Sequence, residues 1–148
     1  MYVHFFYLII IFLMIIFFLF IKNKCNKHHH SIEVKSSEIS GRGFFAKLNI
    51  KENDIIETCP YIEDECSIFS GVVGDYIFKS DNNEGYGNCA VAFGYCSLYN
   101  HNDDNSANWV VDNDSQTINI IALRDINEGE EITVSYGSEY WNARLGKI

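Results

Sequence analysis

Several residues in this chain are of types that do chemistry as well as pack. Gly41-Arg42-Gly43 sets two glycines around one basic residue. A backbone without Cβ atoms can come close to a ligand, although the same triplet also makes an ordinary hairpin turn. Asn100-His101 ends an apolar approach from Cys89 to Tyr99. Two polar side chains arriving there need partners, and either a loop cap or a bound ligand supplies them. Tyr136 closes an alternating run, Ile132, Val134 and Tyr136 against Thr133 and Ser135, which delivers a phenol to the end of a strand. With an ordinary pKa of about 10, its role as a base is not legible from sequence. Tyr140 and Trp141 follow one turn later. The metal-type residues do not assemble. Cys25, Cys59, Cys66, Cys89 and Cys96 are odd in number and hold no Cys-x-x-Cys, so neither a zinc site nor a closed disulfide set is indicated. Reduced thiols in a cytosolic setting are expected, and no metal. His28-His29-His30 reads as a solvated spacer.

The elements that position these residues follow from patterning. Val, Ile, Tyr and Phe recur in short runs with a single Pro, so β structure should dominate. Strands are expected over 33–40, 75–78, 107–111, 117–123 and 132–136, joined by polar turns at 102–106 and 112–116. Glu63-Asp64-Glu65 reads as a solvated loop and 80–87 as a surface turn. One spacing occurs twice: Ala46, Ile50, Asn53, Asp54 and Ile56 repeat as Ala122, Ile126, Gly129, Glu130 and Ile132. In each copy a loop tucks an aliphatic residue inward, turns at Asn or Gly, and starts a strand. The repeat predicts a shared left-handed turn at Asn53 and Gly129, since Asn best replaces Gly at positive φ.

Three segments in this order carry a family resemblance. Gly41-Arg42-Gly43-Phe44-Phe45-Ala46, then Gly94 to His101, then Gly129-Glu130-Glu131-Ile132 with Tyr136-Gly137, together resemble the motifs of the SET domain, the lysine methyltransferase fold. The resemblance covers residues 33 to 141. It implies a mainly β fold, a β-clip of short meandering strands whose C-terminal segment is threaded in a knot-like way, an exception to the usual rule against threading. It further implies S-adenosylmethionine as cofactor, contacted by Gly41, Arg42 and Gly43 through the main chain, by Asn100 and His101, and by Tyr136. Trp141 and Tyr140 either cover the adenine or pack the C-terminus. Tyr136 is the implied catalytic tyrosine, and Tyr76 either lines the substrate channel or packs in the core. Many family members have a Ser or Cys where this chain has Asn102, and many carry zinc modules that this chain lacks.

Methyl transfer to lysine is a displacement at a sulfonium methyl and needs a neutral amine held in line, so positioning is most of the work. An aromatic channel desolvates the lysine and disfavours its ammonium form.

Residues 33–148 carry eight basic against twenty acidic side chains, a net charge of −12 within a whole-chain value of −9. Nucleic-acid binding through phosphates needs a basic face and is not expected; a basic protein segment is the natural partner. Tyr2 to Ile21 is an apolar run of 20 residues broken only by His4, long enough for a transmembrane helix. The chain thus divides into an anchor at 1–21, a linker at 22–32 and the SET domain at 33–148. Lys22, Lys24 and Lys27 place that domain on the cytoplasmic side of a single-pass membrane protein. A homodimer that completes the substrate wall is an arrangement the sequence allows, as is a catalytically silent module that binds basic peptides.

Overall fold

The computed structural model describes residues 11–16, 32–80, 87–142 and 144. Residues 11–16 form an exposed helical stretch. The rest of the expected anchor, and the linker with its histidines, lie outside the described residues, as does most of the expected turn at 80–87. Among the described residues no helix is long and apolar enough to cross a membrane, so the expected transmembrane helix finds no support in the structure.

The described residues form nine strands in two sheets. β1 (Ile32–Ser36), β2 (Arg42–Ala46), β9 (Glu131–Val134) and β6 (Asn100–His101) lie side by side in that order. β4 (Ile77–Lys79), β5 (Asn88–Ala92), β3 (Ile55–Glu65), β8 (Thr117–Ala122) and β7 (Ala107–Asp112) form the second sheet. A short helix, α1 (Ser138–Asn142), follows β9. β8 has the alternation a half-buried strand requires: Ile118, Ile120 and Ala122 are fully buried and the residues between them are not. Phe44 and Ala46 of β2 and Ile132 and Val134 of β9 pack in one cluster with residues of β3, β5 and β8, so the two sheets share a single core. β9 pairs with β2 antiparallel and with β6 parallel. A last strand inserted between two earlier ones cannot be reached by a simple meander.

The repeated spacing proves to be a reciprocal interaction. Ile50 and Ile126 each donate their N–H to the other's carbonyl at 2.9 Å. Ala46 N–H donates to Glu130 O and Gly129 N–H to Ala46 O. The same two bonds recur, shifted by one copy, as Ala122 N–H to Asp54 O and Asn53 N–H to Ala122 O. Side chains follow suit: Lys51 N–H donates to Asp54 and Asn127 N–H to Glu130, while Glu52 N–H donates to Asp125 and Glu128 N–H to Asn49. The two loops therefore grip one another around a local twofold. Both turn residues have positive φ, 67° at Asn53 and 84° at Gly129.

Three expectations need correction. Glu63-Asp64-Glu65 is not a loop but the end of β3, paired with Ala90, Cys89 and Asn88 of β5; its side chains are exposed as their charge requires, yet strand pairing uses the main chain, which charge does not report. The strand expected from Asp75 begins at Ile77, because Gly71–Asp75 is a 3-10 turn closed by the bond from Tyr76 N–H to Val73 O. The four cysteines among the described residues are not free thiols: Cys59 is bonded to Cys96 and Cys66 to Cys89, with Cα separations of 6.2 and 4.8 Å, while Cys25 lies outside the described residues. The partners are 37 and 23 residues apart, and tertiary packing alone brings them together.

The shared turn has a direct test. A Cβ at Gly129 would meet no atom within 4 Å, so any cost of substitution there is backbone strain. Gly129→Val should lower stability by about 1 kcal/mol or more, whereas Asn53→Gly should be near neutral or stabilising, both read from denaturant midpoints.

Candidate active site

The polar residues singled out by sequence meet at one place. After β1 the chain turns through Gly41, whose φ of 49° favours glycine, and returns as β2. The turn is closed by Ser37 N–H donating to Gly41 O. Asn100, on β6 and almost fully buried, reaches this turn from the far side of β9. Its Nδ2 donates to Ser40 O at 3.1 Å, Arg42 O at 3.2 Å and Glu131 Oε1 at 2.8 Å. Three acceptors around one nitrogen fix which end of the amide is which. Its Oδ1 has no hydrogen-bond donor among the described residues.

His101 is locked in a related way. Tyr136 N–H donates to His101 Nδ1 at 3.1 Å, so that nitrogen carries no proton, and Nε2 carries the proton toward Asp103 at 3.2 Å. The Tyr136 hydroxyl donates to Tyr99 O at 2.8 Å. Tyr99 in turn donates to the buried carboxylate of Glu57 at 3.1 Å, and burial together with that charge holds the Tyr99 phenol well above its ordinary pKa. Burial, then the neighbouring Tyr140 and Tyr76, push the Tyr136 phenol up to about 12. Tyr136 is therefore a neutral hydroxyl throughout the physiological range, not a phenolate base.

Four rings close this end of the site. Tyr136 lies 5.2 Å from His101, 4.7 Å from Tyr140 and 6.2 Å from Trp141, the last stacked at 20°. Trp141 also stands edge-on to His101 at 5.1 Å. The helix that carries Tyr140 and Trp141 is tied to the segment around β4 by Lys79–Glu139 and Arg144–Asp75 ion pairs, with Arg144 over the Tyr140 ring.

These groups border a cavity of about 850 Å³. Gly41, Arg42, Tyr76, Asn100, His101, Tyr136 and Trp141 all line it; Gly43 does not. Tyr76 is 42% exposed, a wall residue and not a core one. Sequence reasoning missed Glu131, which accepts from Asn100, Glu57, which accepts from Tyr99 behind Tyr136, and Ser97, whose buried Oγ has no partner among the described residues. Only the position of Glu131 inside the Gly-Glu-Glu run hinted at a role. Asn102 caps the following turn by accepting from Asp104 N–H, so its replacement of Ser or Cys leaves a satisfied loop.

The sequence profile that describes the SET domain matches residues 41–137. The chain belongs to the SET domain family. Over 116 residues it is 30% identical to the histone-lysine N-methyltransferase, H3 lysine-37 specific, of Schizosaccharomyces pombe, covering 74% of this chain and 76% of that protein. Among solved structures it is similar to a Plasmodium falciparum protein provisionally named a histone methyltransferase, with a TM-score of 0.61 and 31% identity over 75% of this chain and 96% of that one. The chain is thus a SET-type protein-lysine methyltransferase, and S-adenosylmethionine is its methyl donor.

The cavity fits that cofactor. Asn100 Oδ1 is free to accept from an ammonium, the orphaned Ser97 hydroxyl can still bond, a Cβ at Gly41 would meet nothing, and the Trp141 and His101 rings offer apolar faces. The cofactor supplies an electrophilic methyl group on sulfur. Tyr76, Tyr136, Tyr140 and Trp141 put aromatic side chains on the cavity wall, where a lysine would lose water and its ammonium form would be disfavoured. The Tyr136 hydroxyl commits its proton to Tyr99 O, which leaves its oxygen lone pairs available to a further donor.

Because the Tyr136 phenol titrates near 12, no ionisation of this residue falls between pH 7 and 10. Tyr136→Phe should lower single-turnover rates on the order of 100-fold while leaving the shape of the pH-rate profile unchanged. A rising limb present in the native enzyme and absent in the variant would assign the base to Tyr136 after all.

Proposed function

We propose that this chain methylates a lysine in a basic protein segment, of the histone type, while held at a membrane by its N-terminal apolar run. The observation that carries the catalytic part is a single cavity bordered at once by Asn100, with its unpartnered carbonyl oxygen, and by the Tyr76 and Tyr136 phenols. A domain of charge −12 attracts lysine-rich and arginine-rich segments and repels nucleic acid. The histone assignment leans on the named substrate of the Schizosaccharomyces pombe relative.

Membrane attachment rests on the 20-residue apolar run and on Lys22, Lys24 and Lys27, which favour a cytoplasmic domain. The two disulfides argue for an oxidising compartment, since cytosolic thiols are kept reduced. We give the lysines more weight because the methyl donor is made in the cytosol.

Full-length protein in detergent, incubated with labelled S-adenosylmethionine and a panel of histone and non-histone peptides, should transfer label to lysine. Asn100→Ala should weaken cofactor binding about tenfold or more by calorimetry. Cofactor binding without turnover on any lysine peptide would leave a silent binding module in place of the enzyme. On sealed membranes, the domain should be open to protease added from the cytoplasmic side; protection there would reverse the proposed orientation.

A further inference from the structure

We infer that Glu131 is the positioning residue of the cofactor site, and that Gly43 is a glycine because Glu131 occupies the place of its side chain. The inference rests on the functional reading above, in which Asn100 binds the cofactor. The two glycines of the Gly41-Arg42-Gly43 turn do different jobs. Gly41 needs its positive φ, and a Cβ there would meet open space. Gly43 lies in β2 and does not border the cavity. A Cβ on Gly43 would overlap the Glu131 carboxylate, standing 2.6 Å from its Cδ and 3.1 Å from Ser37 Cβ. Close approach of a ligand is therefore not what excludes a side chain at this position.

The space is kept for a carboxylate with two fixed bonds. Glu131 Oε2 accepts from the Ser37 hydroxyl at 2.8 Å and Oε1 from Asn100 Nδ2 at 2.8 Å. Ser37 also receives the N–H groups of Ile39 and Ser40, so Glu131 ties the turn before β2 to β6 across two neighbouring strands. An inverted Asn100 amide would set its oxygen against two carbonyls and a carboxylate, which only repel it. Glu131, with the shortest of the three bonds, thereby reinforces what Ser40 O and Arg42 O begin: Asn100 offers the cofactor an acceptor and not a donor. Its negative charge at hydrogen-bond distance also polarises the amide, making Oδ1 a stronger acceptor for an ammonium group.

A thermodynamic cycle on the full chain tests this, with calorimetric affinity for S-adenosylmethionine as the readout and unfolding midpoints as the fold control. Gly43→Ala and Glu131→Ala should each weaken binding about tenfold or more, and the double variant should bind no worse than Glu131→Ala, since the methyl group then has room. Additive losses would mean that the ligand itself excludes a side chain at Gly43 and would overturn the inference. Glu131→Gln should recover most of the affinity lost in Glu131→Ala, because its amide oxygen can still accept from Asn100 even though the bond to Ser37, whose oxygen already receives Ile39 N–H and Ser40 N–H, is lost. No recovery would show that charge, not orientation, is what matters there. Should Glu131→Ala fail to fold, Ser37→Ala, which touches only the outer oxygen, should still weaken binding severalfold, and native affinity in it would equally overturn the proposal. Absence of cofactor binding by the unmutated protein would instead defeat the functional reading itself.

Discussion

The reciprocal main-chain bonds between Ile50 and Ile126 are the constraint on which the rest of the domain depends. They lock the loop before β3 to the loop before β9, and at the buried Ile50–Ile126 bridge each loop satisfies the other's backbone groups where water cannot. Both isoleucines are buried, so the same contact closes the core. Because the grip is mutual, fixing one loop fixes where the other strand starts, and β9 is launched beside β2 in a single register, Phe44 against Ile132 and Phe45 against Glu131. That register puts Glu131 under Gly43 and Tyr136 at the mouth of the cavity.

Polar satisfaction, more than charge, organises the site. Ser106 and Thr133, both buried, exchange bonds through their hydroxyls and hold β9 on its second side. Asn100 is bound to protein through Nδ2, with Oδ1 left without a donor among the described residues, while His101 is held at both ring nitrogens and the Tyr136 hydroxyl donates to Tyr99 O, so these side chains are oriented before any ligand arrives. An enzyme whose substrates bring their own reactivity needs little beyond this preorganisation. The neutral phenol of Tyr136 fits that economy, since a hydroxyl held this far above its ordinary pKa is not poised to act as a phenolate.

Closure of the site comes from outside the SET strands. Tyr140 and Trp141 ride on α1, which is tied to the β4 side through the Lys79–Glu139 pair, with Arg144 just beyond it paired to Asp75. The Cys66–Cys89 bond brackets the excursion that contains Tyr76, so the opposite wall is tethered too. Surface ion pairs of this kind contribute little stability in water. Their effect here is to hold a short helix, too brief to persist alone, against the cavity.

Much of this was legible in the sequence wherever the signal is local or repeats at a fixed spacing. The alternation of β8, the left-handed turns at Asn53 and Gly129, and the ordered motifs at Gly41, Asn100 and Tyr136 all depend on neighbours along the chain, and each residue type carries its own conformational cost. The placement of Glu131 and Glu57 against Asn100 and Tyr99, the two cysteine pairs, and the true reason for Gly43 were not legible. Each depends on which strand lies beside which, and one backbone hydrogen bond looks like another in the sequence. The chain determined what its turns could be and which side chains had to find partners. Only the tertiary structure, by setting β9 between β2 and β6, decided which partners those were.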